Sequence, residues 1–139
     1  MLIRLRFLGF AAGVILAGLV LRLVPWGLPL PAHHVGGGLL WGAMLYLLVA
    51  AGRPLGWNRA AVIVAAIAIA CAVEMLRLYR DASLDAFRAT VAGQLLLGRI
   101  FSPWNMLTYA GGILAAALAT RRLGWTARRG GGPAARPHG

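Results

Sequence analysis

All three acidic residues of a 139-residue chain fall within one short stretch, Glu74 to Arg88, EMLRLYRDASLDAFR, interleaved with Arg77, Arg80 and Arg88. On a helical wheel Glu74, Arg77, Asp81, Asp85 and Arg88 would share an arc of about 80°. RDASLD looks like a helix break, so the alignment holds strictly for Glu74, Arg77 and Asp81, and separately for Asp85 and Arg88. Each half still sets opposite charges at i,i+3 or i,i+4. A carboxylate beside hydrocarbon is costly unless a proton or a cation neutralises it, and Arg77 is the nearest cation to Glu74 in sequence. Two chemistries are open to this group. It can be an ion-pair network that holds an outer loop onto a helix bundle. It can equally be a pocket in which Arg77, Arg88 and Arg99 meet an anionic head group, with Glu74 and Asp85 orienting the guanidinia or transferring a proton. Arginine suits the second reading because its planar fork grips phosphate in bidentate fashion.

The elements that must position these residues are membrane helices. Hydrophobic residues make up 60% of the chain and charged residues 12%, with a mean hydropathy of +0.77, whereas about a quarter of a soluble domain is charged. The net charge of +11 comes from arginine alone, as there is no lysine. The arginines flank apolar runs instead of forming a stripe, which excludes nucleic acid as a partner and marks them as topology signals. The single cysteine, Cys71, sits in an apolar run and permits no intramolecular disulfide. No Ser-His-Asp order, P-loop, CxxC or HExxH is present, and adjacent His33 and His34 lack the flanking ligands of a metal site. No metal and no cofactor is expected.

MLIRLR followed by FLGFAAGVILAGLVL has the basic start and apolar core of a signal sequence, but the run is long and Leu30 is bulky for a cleavage site. An uncleaved first span over Phe7 to Val24 is expected, with a GxxxG at Gly9 and Gly13 open to a neighbouring helix. Pro25, Pro29 and Pro31 end it in an outer loop that also holds His33 and His34. The second span runs from about Val35 to Ala51 and carries another GxxxG, Gly38 and Gly42. The third begins near Ala60 and must continue through Glu74 to about Tyr79 to cross about 30 Å. LDAFRATVAGQLLL, Leu84 to Leu97, opened by Ser83 and closed by Gly98 as caps, is too short to span and is expected to be interfacial or re-entrant. The last span is Asn105 to Thr120. Residues 1–124 then form one transmembrane helical domain, and residues 125–139, rich in Gly, Pro and Arg, a disordered tail.

Four spans set both termini on one side. Nine arginines lie on that side and five on the other, where the three acids offset them. The termini are therefore expected in the cytoplasm. Trp26, Trp57, Trp104 and Trp125 fall beside span ends as an interfacial belt, and Trp41 is the exception within a span.

Ser102, Asn105 and Tyr109 share one face of the last span, a face that can look at Glu74. With these residues placed, a family likeness emerges. Glu74-Met-Leu-Arg-Leu-Tyr79, Leu84-Asp85-Ala-Phe-Arg88-Ala-Thr90, Leu97-Gly98 with Phe101, and Asn105-Met-Leu-Thr-Tyr109-Ala-Gly-Gly112 resemble a family of small bacterial inner-membrane proteins, domain of unknown function 2809. More distantly they are similar to VanZ-like proteins of the cell envelope. Two positions depart from the family pattern: Arg77 stands in place of Gln, and Asn105 in place of Asp. The gained arginine and lost acid favour anion binding over acid–base chemistry.

The expected protein is thus all-α and polytopic, with four transmembrane helices plus a short interfacial or re-entrant helix between the third and fourth. It is expected in the bacterial inner membrane, in contact with membrane lipids and open to helix-mediated oligomerisation. Its ligand site would be Glu74, Arg77, Asp85, Arg88, Ser102, Asn105 and Tyr109, taking an anionic lipid or envelope precursor. An enzyme acting on lipid-linked phosphates and a structural subunit of a membrane complex are the alternatives, and no residue is assigned as catalytic.

Overall fold

A computed structural model describes residues 1–25, 27, 29–96 and 102–122. The chain forms α1 (Leu2–Leu23), α2 (Leu30–Gly52), α3 (Arg59–Leu76), α4 (Ala82–Ala89), α5 (Val91–Leu96) and α6 (Pro103–Ala119). No strand occurs among the described residues. Three helices are long and apolar enough to cross a membrane: Leu2–Leu23, Pro31–Gly52 and Arg59–Leu76. By length and composition the chain is therefore a membrane protein. With 17 residues, α6 rises about 25 Å at about 1.5 Å per residue, a little less than the hydrocarbon core.

Several boundaries differ from expectation for local reasons. The second helix begins at Leu30, not near Val35, because Pro29 caps it and Pro31 lies in the first turn, where a missing amide hydrogen costs nothing. His33 and His34 are consequently helical, and the loop between α1 and α2 is shorter than expected. The third helix stops at Leu76, not Tyr79, and Arg77 is its C-cap. Leu78 and Tyr79 follow in a turn, their amides donating to Met75 and Leu76 carbonyls at 3.0 Å. Asp81, not Ser83, caps α4, its carboxylate accepting from the amides of Ser83 and Leu84 at 3.0 and 3.2 Å. The expected helix over residues 84–97 is broken at Thr90, which is extended. The Thr90 hydroxyl accepts from the Gly93 amide at 3.0 Å and so starts α5 as an N-cap. Gly98, Arg99, Phe101, Trp26 and the tail from residue 123 lie outside the described residues.

Helix α2 is the centre of the bundle, packing against α1, α3 and α6, while α3 also packs on α6. The buried core is mostly small: Ala11, Ala50, Ala51, Ala66, Ala70, Ala116 and Ala117 surround Phe7, Tyr46, Val62, Tyr109 and Ile113. Small side chains let helix backbones approach and gain dispersion contacts where lipid removes the hydrophobic drive. The closest approach is α2 on α6. A methyl group at Gly42 would overlap the Tyr109 carbonyl, and one at Gly112 would overlap that of Leu39. The Gly38–Gly42 motif is thus an intramolecular seam, whereas Gly9 and Gly13 have no neighbour within 4 Å of a built Cβ. Helix α1 fully buries only Phe7 and Ala11, with Ile3 and Val14 partly buried against the core.

Candidate functional site

Glu74 occupies the last turn of α3, and its side chain is fully buried. An ionised group in that position needs every lone pair met, because desolvation otherwise outweighs pairing. Its Oε2 accepts from Arg77 Nη1 at 2.5 Å. Its Oε1 accepts from the Ser102 amide at 2.8 Å and from Asn105 Nδ2 at 3.2 Å. One carboxylate therefore joins three places: its own helix end, the N-cap of α6 and the first turn of α6. Arg77 is itself only 7% exposed, and its guanidinium stands 5.8 Å from the centre of the Tyr109 ring, a cation–π distance. The same ring meets Trp41, centroids 4.5 Å apart and planes tilted by 44°, which gives the one tryptophan within a span an aromatic partner.

A second cluster adjoins the first through Arg88, which is 4% exposed. Arg88 Nη1 donates to Asp85 at 2.8 Å and to the Tyr79 carbonyl at 3.0 Å, and Nη2 donates to the Leu76 carbonyl at 2.7 Å. Two of these acceptors belong to the end of α3 and the turn after it, where carbonyls lack intrahelical partners. Arg88 thus caps α3 from α4 and fixes the corner at Tyr79 and Arg80. Its Nε is buried with no hydrogen-bond partner among the described residues.

Six of the seven expected site residues use their side chains as the spacing implied: Glu74 with Arg77, Asp85 with Arg88, and Asn105 and Tyr109 facing the first pair. Ser102 is present too, but through its backbone amide. Asp81 leaves the stripe it would occupy on a continuous helix and serves as a cap. Arg99 lies outside the described residues. His33 is drawn away from this cluster, its Nε2 meeting the Leu21 carbonyl at 2.7 Å and tying α1 to α2. Among the described residues no group of three His, Cys, Asp or Glu side chains is placed to hold a metal ion.

Arg80 was not among the expected site residues. Its side chain is 75% exposed and stands 3.8 Å from Asp85, too long for a firm bond in water. Tyr79 beside it is 61% exposed, and Trp104 at the start of α6 is 73% exposed. An arginine next to an aromatic residue just after an apolar run was the signal that would have found it. Chemically, the cluster offers a rigid, internally neutralised base of Glu74–Arg77 and Asp85–Arg88 with one outward guanidinium at its rim.

A profile described as "Protein of unknown function (DUF2809)" matches residues 30–113, more than half of the chain. The match runs from the start of α2 into α6 and so contains every residue of the cluster. No curated protein and no solved structure matches the chain.

Proposed function

The chain belongs to the DUF2809 family of proteins of unknown function, and from that premise we propose that it is a four-span membrane protein whose polar end engages an anionic lipid or envelope head group at Arg80. In this reading α6 is the fourth span, α4 and α5 lie along the outer interface, and both termini are cytoplasmic in a bacterial inner membrane. The observation that carries it is the contrast in exposure among the guanidinia. Arg77 and Arg88 are held inward by carboxylates and carbonyls, whereas the Arg80 side chain is exposed, next in sequence to the exposed Tyr79. Lipid phosphate is the anion present at that depth, and an arginine fork pairs with two of its oxygens. The Asp85 charge 3.8 Å away limits the affinity, while Arg88 holds the carbonyl of Tyr79 and so fixes the backbone corner from which Arg80 projects.

A proton-transfer role for Glu74 draws less support. Both of its oxygens are engaged by donors of this chain and its side chain has no exposure, so a substrate hydroxyl has no path to it. Native mass spectrometry of the protein with phosphatidylglycerol tests the proposal. Arg80→Gln should lose one bound anionic lipid, with affinity falling about fivefold for one guanidinium near a surface, and Arg80→Lys should retain most of it. Unchanged lipid occupancy in Arg80→Gln would overturn it. The substitution is at an exposed side chain, so the variant should fold.

A further inference from the structure

Asp85 meets both of the guanidinia around it with the same oxygen. Its Oδ1 accepts from Arg88 Nη1 at 2.8 Å and stands 3.8 Å from Arg80 Nη1. Its Oδ2 has no partner among the described residues, and the side chain is 39% exposed, so a charged acceptor is left open beside Arg80. Arg88 holds that acceptor in place. It is almost fully buried and is itself bonded to the Tyr79 and Leu76 carbonyls, which ties the Asp85 carboxylate to the end of α3. A phosphate seated on Arg80 would therefore have a fixed anion close by. Two like charges at that range repel, and the repulsion is relieved where a hydrogen-bond donor stands between them.

We propose that Asp85 determines which head group Arg80 takes: a phosphodiester whose substituent carries a hydroxyl, as a glycerol head group does, is selected over one that carries no donor. The proposal rests on the reading that Arg80 binds lipid phosphate and adds the identity of the head group. In a glycerol head group the ester oxygen and the nearest hydroxyl are joined by an ethylene link, a reach of the same order as the 3.8 Å between Arg80 Nη1 and Asp85 Oδ1. The phosphate then pairs with the guanidinium while the hydroxyl donates to Oδ2. Without a hydroxyl the lipid brings a second anion to Asp85 and nothing to answer it. Asp85 thus lowers the affinity for every phosphate and returns part of that loss only to a head group with a donor, which is how a repulsive element confers specificity.

The test is a native mass spectrometry titration of the whole protein with phosphatidylglycerol and, separately, phosphatidylmethanol, which carries the same charge but no hydroxyl. Wild type should prefer phosphatidylglycerol about fivefold, the worth of one net hydrogen bond. Asp85→Asn keeps an oxygen for Arg88 but turns an amide donor toward the lipid. The preference should disappear in it, and phosphatidylmethanol should bind about twofold more tightly than to wild type, because a like charge has left the phosphate. A preference retained in Asp85→Asn would overturn the proposal. Should that variant not fold, Asp85→Glu keeps the ion pair with Arg88 and displaces the acceptor by a methylene; its preference should fall below about twofold, and an undiminished one would equally overturn the proposal. Equal binding of the two lipids by wild type, with both weakened by Arg80→Gln, would overturn the role of Asp85 and leave the phosphate site standing. Binding of both lipids unaltered by Arg80→Gln would overturn the phosphate site and this proposal with it.

Discussion

The two ends of the bundle hold arginine by different means. At the polar end Arg77 and Arg88 are almost fully buried, and each has a carboxylate of this chain three residues away, Glu74 and Asp85. At the other end Arg4, Arg53 and Arg59 donate to backbone carbonyls. Burial of a charge demands a full partner, whereas a partly exposed guanidinium can be held by dipoles and leave its charge for the membrane surface. The first arrangement locks helices together; the second leaves net charge outside.

If that contrast is right, breaking the polar end should be most costly. Arg77→Ala leaves the Glu74 carboxylate buried with no cation beside it, and should destabilise by about 3–5 kcal/mol in detergent unfolding. Replacing both, Glu74→Met with Arg77→Met, should recover most of that loss, because the penalty lies in the orphaned charge. A recovery below about 1 kcal/mol would mean the pair itself carries the stability.

Packing gives the next effect down. Gly42→Ala drives a methyl into the Tyr109 carbonyl and should cost about 1–3 kcal/mol, while Gly13→Ala, with open space around it, should cost nothing measurable. A comparable loss at Gly13 would indicate that α1 has a neighbour of its own. The smallest effect is at Asn105→Ala, which removes one interhelical bond to Glu74 and should cost about 0.6 kcal/mol.

Much of the polar end was legible in the sequence because its information is in side-chain types. Acids and arginines three residues apart give the Glu74–Arg77 and Asp85–Arg88 pairs directly. The face of α6 that meets Glu74 follows from the spacing of Asn105 and Tyr109, and the α2 seam from Gly38 and Gly42. What escaped was everything that depends on backbone acceptors and donors. Ser102 reads as a hydroxyl but contributes an amide. Arg88 reads as a ligand-binding cation but spends two donors on carbonyls at the end of α3. The carbonyl anchors of Arg4, Arg53 and Arg59 have no signature at all, since every residue has a carbonyl and only the fold decides which are left over at helix ends. The break at Thr90 was missed for a related reason: a threonine followed three residues later by glycine is an N-cap only if the chain has already turned.

The contrast between the ends is tested most directly by detergent unfolding of Arg77→Ala beside Arg4→Gln. The account predicts a loss of about 3–5 kcal/mol for the first, which orphans a buried carboxylate, and a loss within about 1 kcal/mol for the second, at an exposed side chain. Equal losses would contradict the account, because they would mean that the carboxylates of Glu74 and Asp85 do not make the two ends different.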